Sequence, residues 1–597
     1  MMTEIPNFID KRFQLAADED EDKRISLHDA VKELVNPGIT LHISSAGTIP
    51  YGIGYEIIRQ FSREEPQFRI VTLGATSLVQ LMCESDLVES LVVSYAGDIY
   101  PRPNVSAAFQ RAFKKGLKIE NWSLVSLISR LVAGAMGLEF LPTKSIAASS
   151  MQIENKDSFQ TIDDPFGTER KVGLVKSIRP DLSIAHAWCA DRSGNAIIVP
   201  PLGDGNFAFY ASTGGVLLSA EKIVSTEYIR QHAWMTKVPS HLVKAVVELP
   251  FGAHPAAYLG PNGEGYSEDL QFILDLRETG KNDELLKKWI DEWVLSVNHD
   301  KYLEKLGTER LMSLVGLRNP ESWRTEINNK LKTIPFDKPC NSIERMVING
   351  SHEVVDSVIK SDYKVILAGQ GISNLAAWMA IYNLRDKRYP ANLLAETGLF
   401  GYLPRASSPF IFNKSNIPTS LMLTDSFEAL GMTLGNENNI AVLAAAQVDK
   451  TGNINDTRVG DIFLVGSGGA NDVGSHAKEI VVIVQHEPLR LVKEVSYITV
   501  PGERVSKLVT DEAVFEKIEG ELIPTKCLPV LGISQEMIME RLAEKTGWKI
   551  DKVGVLNHMP EPTKEEIQLL RLFDPDGFFL GKTKRLPIER NSNNKKI

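Results

Sequence analysis

The sequence predicts an α/β protein made of two similar open sheets, and three observations lead there. Short, nearly all-apolar runs such as "FRIVTLG", "VESLVVSY" and "DLSIAHAWCA" alternate with helically spaced segments such as "AFQRAFKKG". That alternation is what a parallel sheet covered by helices on both faces requires. At 597 residues the chain exceeds the size at which a single core stops growing, so two or more domains are expected. Its second half also repeats motifs of the first in the same order.

After a polar leader, "ISLHDAVKELV" has helical spacing and "GITLHISSAG" reads as a strand ending in small residues. "GITLHISSAGTIPYGIGYEII" corresponds to "YKVILAGQGISNLAAWMA", each a strand, a glycine turn and a helix. "AWCADRSGNA" matches "AAQVDKTGNI", which pairs Asp191, Gly194 and Asn195 with Asp449, Gly452 and Asn453. "YASTGGVLLSAEKIV" matches "VGSGGANDVGSHAKEIV", and "HLVKAVVELPFG" is paired with "LRLVKEVSYITVPG". Four pairings in one order indicate an internal duplication. The polar, proline-containing "NNKLKTIPFDKPCNS" reads as the linker, dividing the chain into 1–335 and 336–597. Two such domains facing each other would leave a cleft, a frequent place for a small-molecule site.

A formal charge of -10 and a pI near 5.7 lack the basic surplus of a general nucleic-acid binder. Only the tail "GKTKRLPIERNSNNKKI" is basic, and it reads as a solvated run. Cys83, Cys189, Cys340 and Cys527 share no metal or disulfide spacing, so no metal site is expected and a reducing, cytoplasmic setting fits. The charged N-terminus has no apolar signal-peptide core and no run is long enough for a bilayer, so neither export nor membrane insertion is expected.

Among the motifs, "YKVILAGQGISNLAAW" puts Gly369, Gly371 and Asn374 where a dinucleotide fingerprint has three glycines. With the third glycine missing, it reads as a turn that lets backbone approach a ligand or neighbour. "FLVGSGGANDVGSHAK" exposes consecutive N–H groups along Gly466–Ala470, with Asn471 or Asp472 able to cap the segment after the loop. Such a loop either holds an anion or a developing oxyanion, or is a tight turn. His254 and His486, at the ends of apolar strands, read as structural. "NLLAETGLFG" is the stretch that demands an explanation: Glu396 carries a charge among apolar and small residues, with no basic neighbour. It is either a solvated glutamate at a turn or a desolvated one, whose charge is destabilised and nucleophilicity raised.

At these residues the sequence resembles a family I coenzyme A transferase, most closely the glutaconate branch. Leu393, Glu396, Gly398, Leu399, Phe400 and Gly401 match the family's active-site signature, whereas Leu394, Ala395 and Thr397 depart from it. "GSGGAND" and "PEPTKEEIQLLRLFDPDGFFL" resemble the β subunit of that branch, and "SLHDAVKELV", "GLEFLPTKS" and "VELPFGAHPAAY" its α subunit. The resemblance implies an α and β pair fused in one chain, with two Rossmann-like domains and the nucleophile in the second. It further implies ping-pong transfer of coenzyme A between carboxylic acids through a thioester on Glu396, with no permanently bound cofactor, and a homo-oligomer. By the same carry-over, Gly468, Gly469 and Ala470 would provide oxyanion and coenzyme contacts, with Gly469 and Ala470 as N–H donors. Gly369 and Gly371 would form the adjoining loop. Ser44, Ser45 and Gly47 stand where the branch often has a glycine turn facing the acyl group, so the resemblance does not fix the acyl substrate, and a short dicarboxylate and other acids both stay open. The alternatives are an acyl-CoA hydrolase or decarboxylase on the same scaffold, and a binding protein that kept the fold alone.

Overall fold

The computed structural model describes residues 4–581 apart from 19, 101, 169–170, 437, 529–533 and 551–555. All but the first residue of the basic tail lies outside the described residues. In the first half, seven strands form one parallel sheet: β1 (Thr40–Ile43), β2 (Phe68–Ala75), β3 (Val88–Ala96), β4 (Lys118–Asn121), β5 (Leu182–Ala187), β6 (Val216–Ala220) and β7 (Val243–Glu248). Their order is β7-β6-β5-β1-β2-β3-β4. Helices such as Tyr51–Phe61 and Ser77–Glu84 make the crossovers, and β5 is buried at every position, as a central strand covered on both faces must be.

The second half builds a ten-stranded sheet. Its parallel part uses β8 (Val365–Ala368), β9 (Asn392–Ala395), β10 (Asn439–Ala444), β11 (Glu479–Ile483) and β12 (Val505–Val509), in the order β12-β11-β10-β8-β9. That order repeats β7-β6-β5-β1-β2 strand for strand, so the duplication read from the sequence is present in the topology. The paired aspartate turns are also built alike. Asp191 Oδ1 accepts from the N–H groups of Ser193, Gly194 and Asn195, and Asp449 Oδ1 from those of Thr451 and Asn453. Asn195 and Asn453 each donate Nδ2 to the second oxygen, at 2.8 and 3.1 Å.

One sequence expectation needs correction. "LRLVKEVSYITVPG" contains no strand; the counterpart of β7 is β12, which begins at Val505, after it. The repeated letters "LVK" suggested the wrong offset, whereas the short 3-10 turns Ser240–Leu242 and Gly502–Arg504, each entering its strand, give the right one. The stretch read as the linker packs against the second half, where Arg571 donates to the carbonyls of Pro335, Lys338 and Pro339. The halves also share a core, since one apolar cluster runs from Val71, Val92 and Leu127 to Leu394, Leu443 and Val482. Burying apolar surface between them holds the cleft to one shape.

Candidate active site

Open parallel sheets collect functional groups at the carboxyl ends of their strands, where successive crossovers diverge. Here Ser45 follows β1, Gln370 follows β8, Glu396 follows β9 and Ala444–Ala446 lie at the end of β10, and all of them border one cavity of about 1520 Å3 between the halves. Ser45, Gly47, Gly369, Glu396, Gly468, Gly469 and Ala470 therefore meet at one site. Ser44 and Gly371 do not border the cavity. Ser44 is buried and its Oγ accepts from the Ala46 N–H at 3.0 Å, while Gly371, at φ +93°, is the residue that turns the chain into helix Ile372–Asp386. Asn374 serves the fold, donating Nδ2 to the Pro409 carbonyl at 2.9 Å.

Glu396 is half-buried in the cavity wall. Among the described residues no cation pairs with it; Gln370 Nε2 donates to Oε1 at 2.7 Å and the Gly469 N–H also donates toward the carboxylate. Burial pushes its carboxyl above the ordinary range, and these two neutral donors pull it only part of the way back. A carboxylate held by neutral dipoles keeps more of its reactivity than one locked into an ion pair.

The glycine loop approaches closely because it has no side chains to interfere. A Cβ on Gly469 would lie 2.6 Å from Glu396 Oε2, and one on Gly466, at φ +91°, would lie 2.6 Å from the Ser94 carbonyl. Within this loop the Gly468 N–H is bound to the Ser94 carbonyl at 2.8 Å and the Ala470 N–H to the Ser467 carbonyl at 3.0 Å. Ala470 is thus not the free donor the resemblance implied; Gly469 is the member of the loop turned toward the carboxylate. Asn471 and Asp472 do not act as caps after the loop either. They cross to the first half, accepting from the Ile146 N–H at 2.6 Å and the Val125 N–H at 3.0 Å.

The sequence marks Gln370 only as a polar residue between two glycines; that it reaches the carboxylate follows from β8 lying beside β9 in the sheet. His254 and His486 are buried and hydrogen-bonded, to Tyr302 and Asp269 and to Thr510 and Thr546, and neither borders the cavity. Among the described residues no group of His, Cys, Asp or Glu is arranged to hold a metal, and no helix is long and apolar enough to cross a membrane.

A coenzyme A transferase family model matches residues 24–249 and 352–539. The chain belongs to the coenzyme A transferase family. This transferase is similar to both subunits of a two-subunit relative, the glutaconate CoA-transferase of Acidaminococcus fermentans. It is 29% identical to one of them over 315 residues, a match covering 49% of this chain and 94% of that one. It is also 29% identical to the other over 163 residues, covering 24% of this chain and 59% of that one. An acyl-CoA transferase from E. coli O157:H7 shares the fold at a TM-score of 0.63 and 15% identity, over 94% of this chain and 97% of that one.

Burial pushes the Asp472 carboxyl up to about 7, and the nearby charge of Glu396 adds to the effect. A carboxyl whose pKa is raised on folding favours the folded state below its unfolded pKa, about 3.9, and that contribution is lost as pH rises through the folded value. Asp472→Asn keeps an oxygen for the Val125 N–H and removes the buried charge. Its thermal midpoint should exceed that of the native protein at pH 8, and the gain should vanish near pH 4. Calorimetric scans at both pH values check this; an equal difference at both would show that the charge is not responsible.

Proposed function

We propose that this transferase moves coenzyme A from an acyl-CoA donor to a carboxylic acid acceptor by covalent, ping-pong catalysis on Glu396. The observation that carries the reading is the Glu396 carboxylate, uncompensated by any described cation, at the end of β9 in a cavity between two α/β halves. An oxygen of Glu396 attacks the thioester carbonyl, the thiolate leaves and a mixed anhydride forms. The thiolate then attacks the glutamyl carbonyl and expels the donor acid, which carries away the attacking oxygen. The acceptor carboxylate attacks the resulting glutamyl thioester, releasing the thiolate and forming a second anhydride. Attack of the thiolate on the acceptor carbonyl gives the new acyl-CoA and regenerates Glu396 with an oxygen from the acceptor. Splitting one exchange into these steps lowers each barrier. The Gly469 N–H and Gln370 Nε2 are the donors aimed at the carboxylate, and so at the oxyanions that form on it. The resemblance also carries a cytoplasmic homo-oligomer as the working assembly, which sedimentation can measure.

Incubation with an acyl-CoA and no acceptor should leave coenzyme A attached to the peptide containing Glu396, read by mass spectrometry. With acceptor labelled by heavy oxygen in its carboxylate, the label should enter Glu396 and leave in the next departing acid. Full-rate coenzyme A release without acceptor, and no adduct, would instead assign the site to hydrolysis.

A further inference from the structure

The turn carrying Glu396 and the loop carrying Ser45 belong to different halves of the chain, yet they are joined by a continuous polar bridge. Asp204 is fully buried and lies at its centre. Its Oδ1 accepts from the Ser45 N–H at 3.1 Å, Oδ2 meets His42 Nε2 at 2.8 Å, and Ser45 Oγ accepts in return from the Asp204 N–H at 3.3 Å. His42 is itself held by Ser183 Oγ at 3.0 Å. Gly203, at φ +51°, has no room for a Cβ, which would fall 2.6 Å from the Ser45 carbonyl oxygen. The residues just before Asp204 cross to the second half: the Leu202 N–H donates to the Thr424 carbonyl and the Ser426 N–H to the Gly203 carbonyl, both at 2.9 Å. Thr424 in turn donates its N–H to the carbonyl of Gly398, two residues beyond Glu396, also at 2.9 Å.

We propose that Asp204 is a positioning residue that holds the cavity-lining Ser45 loop in register with the Glu396 turn across the cleft, and so sets the reaction with the acyl acid. The inference rests on Glu396 being the nucleophile. Asp204 does not border the cavity, so it acts on the substrate only through its neighbours that do, Ser45 and Gly203. Anhydride formation needs the acyl carbonyl and the Glu396 oxygen in near-attack geometry, and a misplacement of about 1 Å lowers such a rate about 100-fold. The bridge is assigned to the acyl acid and not to coenzyme A. Loss of Asp204 should therefore divide the kinetic constants, lowering reactivity toward the acid while leaving coenzyme affinity alone.

The test uses the full-length chain and four variants: Asp204→Ala, Asp204→Asn, Ser426→Pro and the double variant Asp204→Ala/Ser426→Pro. Ser426 has φ -70°, which proline adopts, so its substitution removes the N–H donated to Gly203 with little backbone strain. Asparagine retains an oxygen for the Ser45 N–H, and its amide can donate to His42 Nε2 if the ring proton moves to Nδ1, facing Ser183. Adduct yield on Glu396 counts the active sites in each sample. Asp204→Ala should lower kcat/KM for the acceptor acid by about 30- to 100-fold, with the dissociation constant of coenzyme A unchanged, and Asp204→Asn should recover most of the loss. Ser426→Pro should move the constants in the same direction, and the double variant should lose less than the product of the single losses, because both break one bridge. Native adduct formation with an acceptor kcat/KM unaltered in Asp204→Ala would overturn the inference, as would Asp204→Asn falling as far as alanine or fully multiplicative losses. If Asp204→Ala does not fold, the asparagine and proline variants decide: native acceptor kinetics in Ser426→Pro, or an alanine-like loss in Asp204→Asn, overturns it. Absence of an adduct on the native protein would overturn the nucleophile instead.

Discussion

Glu396→Gln is expected to abolish coenzyme A transfer, lowering kcat by about 10,000-fold or more, because covalent catalysis does not survive loss of its nucleophile. The amide preserves the side-chain shape and can accept the 2.7 Å hydrogen bond from Gln370, but its NH2 then faces the Gly469 N–H, so a thermal melt of the variant separates lost chemistry from lost packing. Glu396→Asp adds a second discrimination. It keeps a carboxylate but withdraws it by one methylene from the cavity, so a nucleophile should fail nearly as badly as with glutamine. A base acting through a water molecule would tolerate the retreat. Initial rates with saturating donor and acceptor, together with mass spectra of the Glu396 peptide, decide between them; appreciable transfer by Glu396→Gln would end the covalent proposal.

The second large effect is expected at Gly469. Its φ of -83° is open to any residue, so Gly469→Ala introduces no backbone strain and the consequence is steric. The new methyl would lie 2.6 Å from Glu396 Oε2, 3.0 Å from Leu430 Cδ1 and 3.3 Å from Leu124 Cδ1. Leu430 is fully buried and Leu124 nearly so, whereas the carboxylate faces the cavity, so the carboxylate is the group that moves. It then loses the Gly469 N–H as well as its aim, and kcat should fall by about 100- to 1,000-fold, the range for losing one oxyanion donor. Thermal stability should change little by comparison. Turnover at the native rate in a folded Gly469→Ala would remove this N–H from the transition state.

Legibility differed from residue to residue. Glu396 could be singled out because a charge in an apolar stretch followed by glycine is costly unless used, and that signal is local. The repeat was legible for the same reason: each aspartate turn keeps Asp, Gly and Asn at fixed spacing within a few residues. The donors of the glycine loop are not legible in its letters, because an exposed-looking N–H can close a turn internally, as that of Ala470 does onto Ser467. Gln370 and Asp204 lay beyond reach. Gln370 lies 26 positions from the carboxylate it holds, and Asp204 lies 159 positions from Ser45; strand order brings them together.

By itself, then, the sequence determined the α/β class, the doubling of the strand pattern and the charged turn, since periodicity, glycine placement and an isolated carboxylate all act over a few residues. Tertiary structure alone decided which N–H groups face that carboxylate, that Gln370 supports it, and that Asp204 ties the two halves together beside it. Hydrogen-bond partners are chosen by distance in space, and in a doubly wound fold the strands that meet at the cleft are separated along the chain by whole crossovers.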